Sequence, residues 1–441
     1  MAQQFVGERS IKLLNCSRES TAAMKQYFKN LQAAKAAGEP VVWTATWEPQ
    51  EIFRVMDINI YFMVHYAALS AAKQLSMRYL GNLQEEGFSK DICRYCGQRL
   101  GFVLDKNKED APWGGPPTPD LEVKSCVDDL QDKILEYKAK ALGFPLYLMD
   151  RTWPTRVSKG MWHTWDTEDY RLEYAMKQYR QLIAFLENFF HRRLDMEKLK
   201  EAVRNTVEMF RLWWEVDQLR KTIPAPITTA DHYSNIIPIQ FFRGTKQGIE
   251  MLTKYRDEVK ERVDKGLAAV PNERIRLFWP EIAPWFTPGI FNAFEDKYGA
   301  AFVFDQYHYP EWFHQVDPEK PIESLAKLYA APYAEDYANA PGKVEWTVEH
   351  ARDYSIDGVV IMWAESCKAF CNSLLLMQRA LSKVGIPSII IKGDIVDIRD
   401  WHDQKIKSEI GDFIETLDPS RRPESKRRAT EFLEQMGSTL R

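Results

Sequence analysis

Cys93 and Cys96 close the stretch DICRYC and open a helix-like segment. The other cysteines are Cys16, Cys126, Cys367 and Cys371. Thiols in this pattern offer four chemistries. A thioredoxin-like redox pair at Cys93 and Cys96 needs a strand just before the first cysteine, and EEGFSKDICRYC shows none. A structural zinc site would join Cys93 and Cys96 to Cys367 and Cys371, although the second pair is spaced CxxxC in a helical context. An iron–sulfur cluster would draw thiolates from distant loops. Unligated thiols would simply pack in the core, the ordinary reading for Cys16. Spacing leaves all four open.

The elements that would position these thiols read as two α/β units around helices. PVVWTATWEPQEI reads as a buried strand leading to a helix start, PDLEVKSCVDD as a strand followed by a helix, and LGFPLYLMD as a third strand. Residues 17–38 are expected to be helical, as is the apolar stretch from Ile52 to Leu80. From Asp166 to Leu219 apolar residues recur at helical spacing until TIPAPITTAD stops them, and a further helix is expected from Gly248 to Lys265. RIRLFW, AAFVFDQ, DGVVIMWA and PSIIIKGD then give four short apolar runs, as in a buried parallel layer. The expected class is α/β: two small parallel-sheet domains of Rossmann or flavodoxin type, with a helical middle and peripheral helices. The boundaries read as 1–40, an N-terminal helical segment; 41–160, the first α/β domain; 161–270, helical; 271–418, the second α/β domain; and 419–441, a basic, solvated tail. Cys126 and Cys367 each fall at or just after the carboxyl end of an expected strand, where such sheets bind ligands.

The bulk numbers narrow the class. A chain of 441 residues has room for a large core and needs no disulfides. A net charge of −4 is too small a field for a general nucleic-acid binder. No signal-peptide core and no apolar run of about 18 residues is seen, so a soluble, cytoplasmic chain with reduced thiols and no membrane span is expected. The 14 Trp and 19 Tyr are enough to line a dry pocket as well as fill a core. There is no GxxxxGK[ST] loop, no GxGxxG after a strand and no GxSxG elbow. Any nucleotide energy therefore enters through other chains.

From Val41 to Leu417 the chain resembles the 2-hydroxyacyl-CoA dehydratase and benzoyl-CoA reductase superfamily. The resemblance is carried, in order, by EGFSKDICRYCGQRLG, PDLEVKSCVDDLQDKILEY, RLWWEVDQLRKTIPAPITTAD, RIRLFWPEIAPWFTPGIFNAFEDKYGAAFVFD, DGVVIMWAESCKAF and VGIPSIIIKGDIVDIRD. It implies a 4Fe-4S cluster held by three cysteines, which map onto Cys93, Cys126 and Cys367. Cys96 and Cys371 are extra to that pattern, either as spare core thiols or as ligands of an enlarged cluster. RLFWPEIAPWF and ESCK look like the larger, B-type subunit of ATP-dependent benzoyl-CoA reductase; the dehydratases tend to carry a glycine-rich segment and FCDP at those places.

The resemblance further implies an acyl-CoA substrate, a related smaller cluster-binding subunit, and ATPase activator subunits with their own cluster, fed by ferredoxin. ATP would be spent there and not bound on this chain. For such chemistry a proton donor is needed. The candidates are His308 in FDQYHYPEW, Glu281 in WPEIAPW and Glu365 beside Cys367. Trp279, Trp285 and Trp363 are candidates for a ring pocket, and Lys368 for a hydrogen bond to sulfide or a CoA phosphate. Two other readings stay open. One is an electron-relay subunit without a substrate; the other is a stand-alone double-cluster reductase that uses the two extra thiols.

Overall fold

The computed structural model describes residues 9–125, 129–150, 169–307, 311–329 and 340–439. Two residues singled out above, Cys126 and His308, lie outside the described residues.

Two four-stranded parallel sheets organise the chain. The first is built from β1 (Val41–Thr44), β2 (Asn59–Phe62), β3 (Leu121–Ser125) and β4 (Leu146–Met149), in the order β2-β1-β3-β4. The second is built from β5 (Ile275–Trp279), β6 (Ala300–Asp305), β7 (Gly358–Ala364) and β8 (Ser388–Gly393), in the order β6-β5-β7-β8. The two orders are the same. The halves thus share a topology that no sequence repeat revealed.

Strands covered on both faces by helices read as unbroken apolar runs. β5 and β6 are buried along their whole length. Along β7, Val360, Met362 and Ala364 face one core cluster while Val359 and Ile361 face another, the strand period of two. β3 departs from this rule: its LEVKS carries Glu122 and Lys124, both buried.

The helical middle is as the periodicity expects. Helices Asp169–Phe190 and Met196–Arg220 bury stripes that include Leu182, Leu186, Leu199, Val203, Phe210 and Trp213. Asp195 caps the second by accepting from the N–H groups of Glu197 (2.9 Å) and Lys198 (3.2 Å). No described helix is long and apolar enough to cross a membrane.

Two expectations are corrected. The stretch from Ile52 to Leu80 is not helical throughout, because β2 interrupts it. Asp57 has a φ of 55°, and Asn59 donates to Pro40 O from both its backbone N–H and its side-chain amide, each at 3.1 Å, which sets β2 beside β1. A four-residue strand is too short to show an alternation that competes with the apolar content around it. The basic tail is also more than a solvated helix. The Arg422–Thr439 helix buries Ala429 and Leu433 with Trp346 and Val348, and Arg422 Nε donates to Asp357 at 2.6 Å.

The helix Arg94–Leu104, which carries the first cysteine pair, is pressed against Ser76–Glu85 at Gly101. A Cβ there would sit 1.8 Å from Tyr79 O, a backbone atom that cannot step aside. Gly101→Ala is therefore expected to lower stability by about 3 kcal/mol, as overpacking against backbone does. A urea midpoint equal to that of the unaltered chain would contradict this packing.

Candidate functional site

In sheets of this order the strand sequence reverses between the first and third strands, and ligands bind in the crevice at their carboxyl ends. Here those ends are β1 with β3, and β5 with β7. Ser125, the last residue of β3, donates to Glu48 from its backbone N–H and its hydroxyl, at 2.8 Å each. Glu48 follows β1, so it ties the two strand ends together. Cys126 follows Ser125 in the chain. Cys367 holds the matching place after β7, three residues past Ala364, and its N–H donates to Ala364 O at 2.8 Å.

Cys93 stands at the N-terminus of Arg94–Leu104, and Cys367 at that of the short helix Lys368–Cys371. Their thiols lie close enough for Cys367 to act on the ionisation of Cys93, as Cys96 does too. Cys93 borders both the core of the first half and that of the second. The contact with Cys367 and burial push the Cys93 thiol well above its ordinary value, with Cys96 acting against them. A cation arriving at Cys93 would have to displace the thiol proton, as thiolate ligation requires. Among the described residues no group of three His, Cys, Asp or Glu is set to hold a metal ion. Cys93 and Cys367 are two of the three thiols expected for a 4Fe-4S cluster. The sulfur pair and the chemistry of the donor set fit that group.

A clamp of charges fixes the Cys93–Cys367 contact across the two halves. The Arg94 N–H donates to Ser366 Oγ (3.4 Å), whose hydroxyl donates to Asp394 (2.5 Å). The Arg94 guanidinium lies 3.6 Å from Asp394 and 3.2 Å from Asp397, and also pairs with Asp400. Arg94, Asp394 and Asp397 are all buried. Arg94→Ala would leave the Asp394 carboxylate buried without its cation, while Asp397 keeps Arg399 at 2.6 Å; breaking such a buried pair costs about 3–5 kcal/mol. A denaturation midpoint within error of the parent's would show the clamp to be idle.

Of the proton-donor candidates, Glu281 lies in the crevice after β5. It is buried and paired with Lys343 at 2.9 Å, and Lys343 also donates to Phe370 O at 3.1 Å. Burial pushes the Glu281 carboxyl up to about 7 against the pull of Lys343. Its charge also reaches Cys371, which burial and Glu281 push up to about 12 and whose thiol donates to Ala364 O at 3.2 Å. Glu365 is exposed and paired with Lys392 at 2.9 Å, a solvated contact. Lys368 Nζ donates to Glu365 O at 3.1 Å and is exposed.

The three tryptophans separate. Trp279 is fully buried as core, and Trp363 is 44% exposed. Trp285 is half-buried and meets Tyr233 (5.6 Å between ring centroids) and Tyr307 (6.3 Å), with Tyr233 and Tyr307 edge to face at 5.2 Å. Cys93, Tyr95, Trp285, Tyr307 and Cys371 all pack on the margin of the same core cluster.

Two buried groups escaped the sequence reading. Asp305, the last residue of β6, pairs with Arg220 (2.7 Å) and His232 Nδ1 (2.9 Å), and its carboxylate accepts from the Tyr307 N–H (3.0 Å). Burial opposes its ionisation, but His232 and Arg220 hold it down to about 2. The second group is a set of cations beside the cysteines. Lys138 pairs with Glu122 at 2.7 Å; Lys124 and Arg99 both donate to the neutral Oε1 of Gln131, Arg99 at 3.0 Å. Burial drives Lys124 down to about 7, with the charge of Arg99 adding to it. No pattern announces either group, since their members are spread over several elements.

Comparison with known proteins adds the following. A sequence model of the family described as 2-hydroxyglutaryl-CoA dehydratase, D-component, matches residues 46–417. The chain is similar to the B-type subunit of benzoyl-CoA reductase from Thauera aromatica, at 26% identity over 89% of this chain and 92% of the relative. It is 25% identical to the (R)-phenyllactyl-CoA dehydratase alpha subunit of Clostridium sporogenes, over 87% of this chain and 91% of the relative. It is 22% identical to the (R)-2-hydroxyisocaproyl-CoA dehydratase alpha subunit of Clostridioides difficile, over 90% and 94%.

Proposed function

The chain belongs to the 2-hydroxyglutaryl-CoA dehydratase D-component family, and from that premise we propose that it is the iron–sulfur subunit of an enzyme acting on acyl-CoA thioesters by single-electron chemistry. The observation that carries this reading is the juxtaposition of Cys93 and Cys367 at the switch-point crevice, held by the Arg94 N–H bond to Ser366 and the Arg94–Asp394 pair. Cys93, Cys126 and Cys367 would hold a 4Fe-4S cluster, which when bound supplies electrons one at a time at low potential. Partners follow from the same reading: a related smaller subunit, and ATPase activator subunits fed by ferredoxin. ATP stays on those chains, in keeping with the absence of a P-loop here. A cytoplasmic place for the complex goes with them.

The chain's own residues do the rest. Glu281, with a carboxyl near 7, holds a proton available at working pH, and Lys343 keeps its carboxylate stable once the proton has gone. Trp285, Tyr233 and Tyr307 form an apolar wall that suits a flat ring and excludes water. The finer reading is accordingly an aromatic acyl-CoA reductase of benzoyl-CoA type, which yields a cyclohexadiene-carboxyl-CoA. The similarity to the B-type chain of a benzoyl-CoA reductase supports it. A second reading, dehydration of a 2-hydroxyacyl-CoA, is favoured by the two alpha-subunit relatives.

The test is an anaerobic assay of the assembled complex with ATP and a low-potential donor. Dearomatisation of benzoyl-CoA with no dehydration of phenyllactyl-CoA is the expected result. Dehydration alone selects the second reading, and turnover of neither defeats both.

A further inference from the structure

Arg99 lies one helical turn beyond Cys96, on the same face of Arg94–Leu104. It is 4% exposed. Glu122 and Lys124, two apart in β3, point to one side of the first sheet, and Lys138 joins them from the next helix. The buried cations are Arg99, Lys124 and Lys138. Glu122 is taken up by Lys138 at 2.7 Å. Arg99 and Lys124 make no ion pair among the described residues; they share one neutral oxygen, Gln131 Oε1. Lys124 otherwise faces the ring of Trp47, 5.1 Å away. Arg99 Nε is buried and donates to none of the described residues.

Two buried cations on one neutral acceptor are a costly arrangement. A lysine can shed its proton, but a guanidinium cannot. An anion is therefore called for on this side of the crevice. Once ionised, the sulfurs of Cys96 and Cys93 would act on Arg99 ahead of the Glu122 carboxylate.

We propose that Arg99 and Lys124 are positioning residues that supply the counter-charge for a thiolate-held iron–sulfur cluster at Cys93 and thereby raise its reduction potential. This rests on the cluster reading of the preceding subsection. Each electron added makes such a cluster more negative, so a fixed cation stabilises the reduced state more than the oxidised one, and net charge and hydrogen bonds to sulfur set the potential. The Nε–H of Arg99 is a donor for that purpose.

The experiment uses the complex purified anaerobically, with iron counted and the potential read by EPR-monitored titration. The variants are Arg99→Gln, Arg99→Lys and Lys124→Met; Lys246→Gln, on an exposed face, is the control. Arg99→Gln is expected to keep iron while its one-electron reduction constant falls at least tenfold, about 59 mV to lower potential. Lys124→Met shifts the same way, and gives the reading should glutamine at 99 not fold. Arg99→Lys stays within about threefold, a span of under 59 mV. Iron lost from a folded Arg99→Gln chain and kept in Arg99→Lys also supports the assignment. An unmoved potential in iron-loaded Arg99→Gln, or equal shifts for glutamine and lysine, overturns it and leaves the cluster standing. A parent complex without iron overturns the cluster reading itself, and this assignment with it.

Discussion

Cys93→Ala is expected to lose its iron and to cut acyl-CoA turnover by at least about 10³-fold, well beyond the 10–100-fold cost of removing a supporting contact. Both Cys367 and Cys96 act on the ionisation of the Cys93 thiol. It stands at the boundary of the two cores. Cys367→Ala and Cys126→Ala are expected to do the same. Cys96→Ala and Cys371→Ala, separately or together, are expected to keep about four irons per chain, the content of a three-thiolate 4Fe-4S site. The Cys371 thiol is already spent on Ala364 O. Iron and sulfide analysis of the five variants checks the set. Loss of the cluster from the Cys96→Ala, Cys371→Ala double variant would instead make those thiols ligands.

Glu281→Gln is expected to lower kcat about 10²–10⁴-fold with a small change in KM, the loss expected when a positioned acid is removed. The pH dependence identifies the cause. With its carboxyl near 7, Glu281 carries its proton below that pH and loses it above, so the parent rate falls as pH rises through about 7. The glutamine variant has no such limb. Stability follows the same sign. The folded value lies above the ordinary 4.5, so the native state binds more protons than the unfolded chain between about 4.5 and 7. That contribution is fully present below about 4.5 and fades as pH rises through 7; the variant should show a flatter profile of denaturation midpoint. A parent pH–rate limb that survives in Glu281→Gln would remove Glu281 from the proton-donor role.

Much of this was legible in the residues because parallel sheets write themselves plainly. Seven of the eight described strands were read from the residues, most of them from apolar runs such as RIRLFW and DGVVIMWA, whose burial on both faces leaves no polar alternation; β3, with Glu122 and Lys124, is the departure. The eighth, β2, was hidden because its register depends on Asp57 and Asn59 and not on any run of its own. The meeting of Cys93 with Cys367 was not readable from spacing. It follows from the Arg94–Asp394–Asp397 clamp, which joins residues some 300 positions apart. Trp279 and Trp285 sit in one short segment, yet one ends β5 and fills the core while the other, beyond the strand, is half-buried beside Tyr233 and Tyr307. The uncompensated pair Arg99 and Lys124 was invisible for the same reason: a charge reads as solvated until its surroundings are known.

The central claim is that Cys93, Cys126 and Cys367 hold one iron–sulfur cluster. It is tested most directly by purifying the chain anaerobically with its partner subunits, counting iron and acid-labile sulfide per chain, and recording EPR after reduction. About four of each per chain, with a paramagnetic signal appearing on reduction, is the predicted result. Zinc in place of iron, or no metal in a well-folded anaerobic complex, would contradict it and return Cys93 and Cys96 to a structural role.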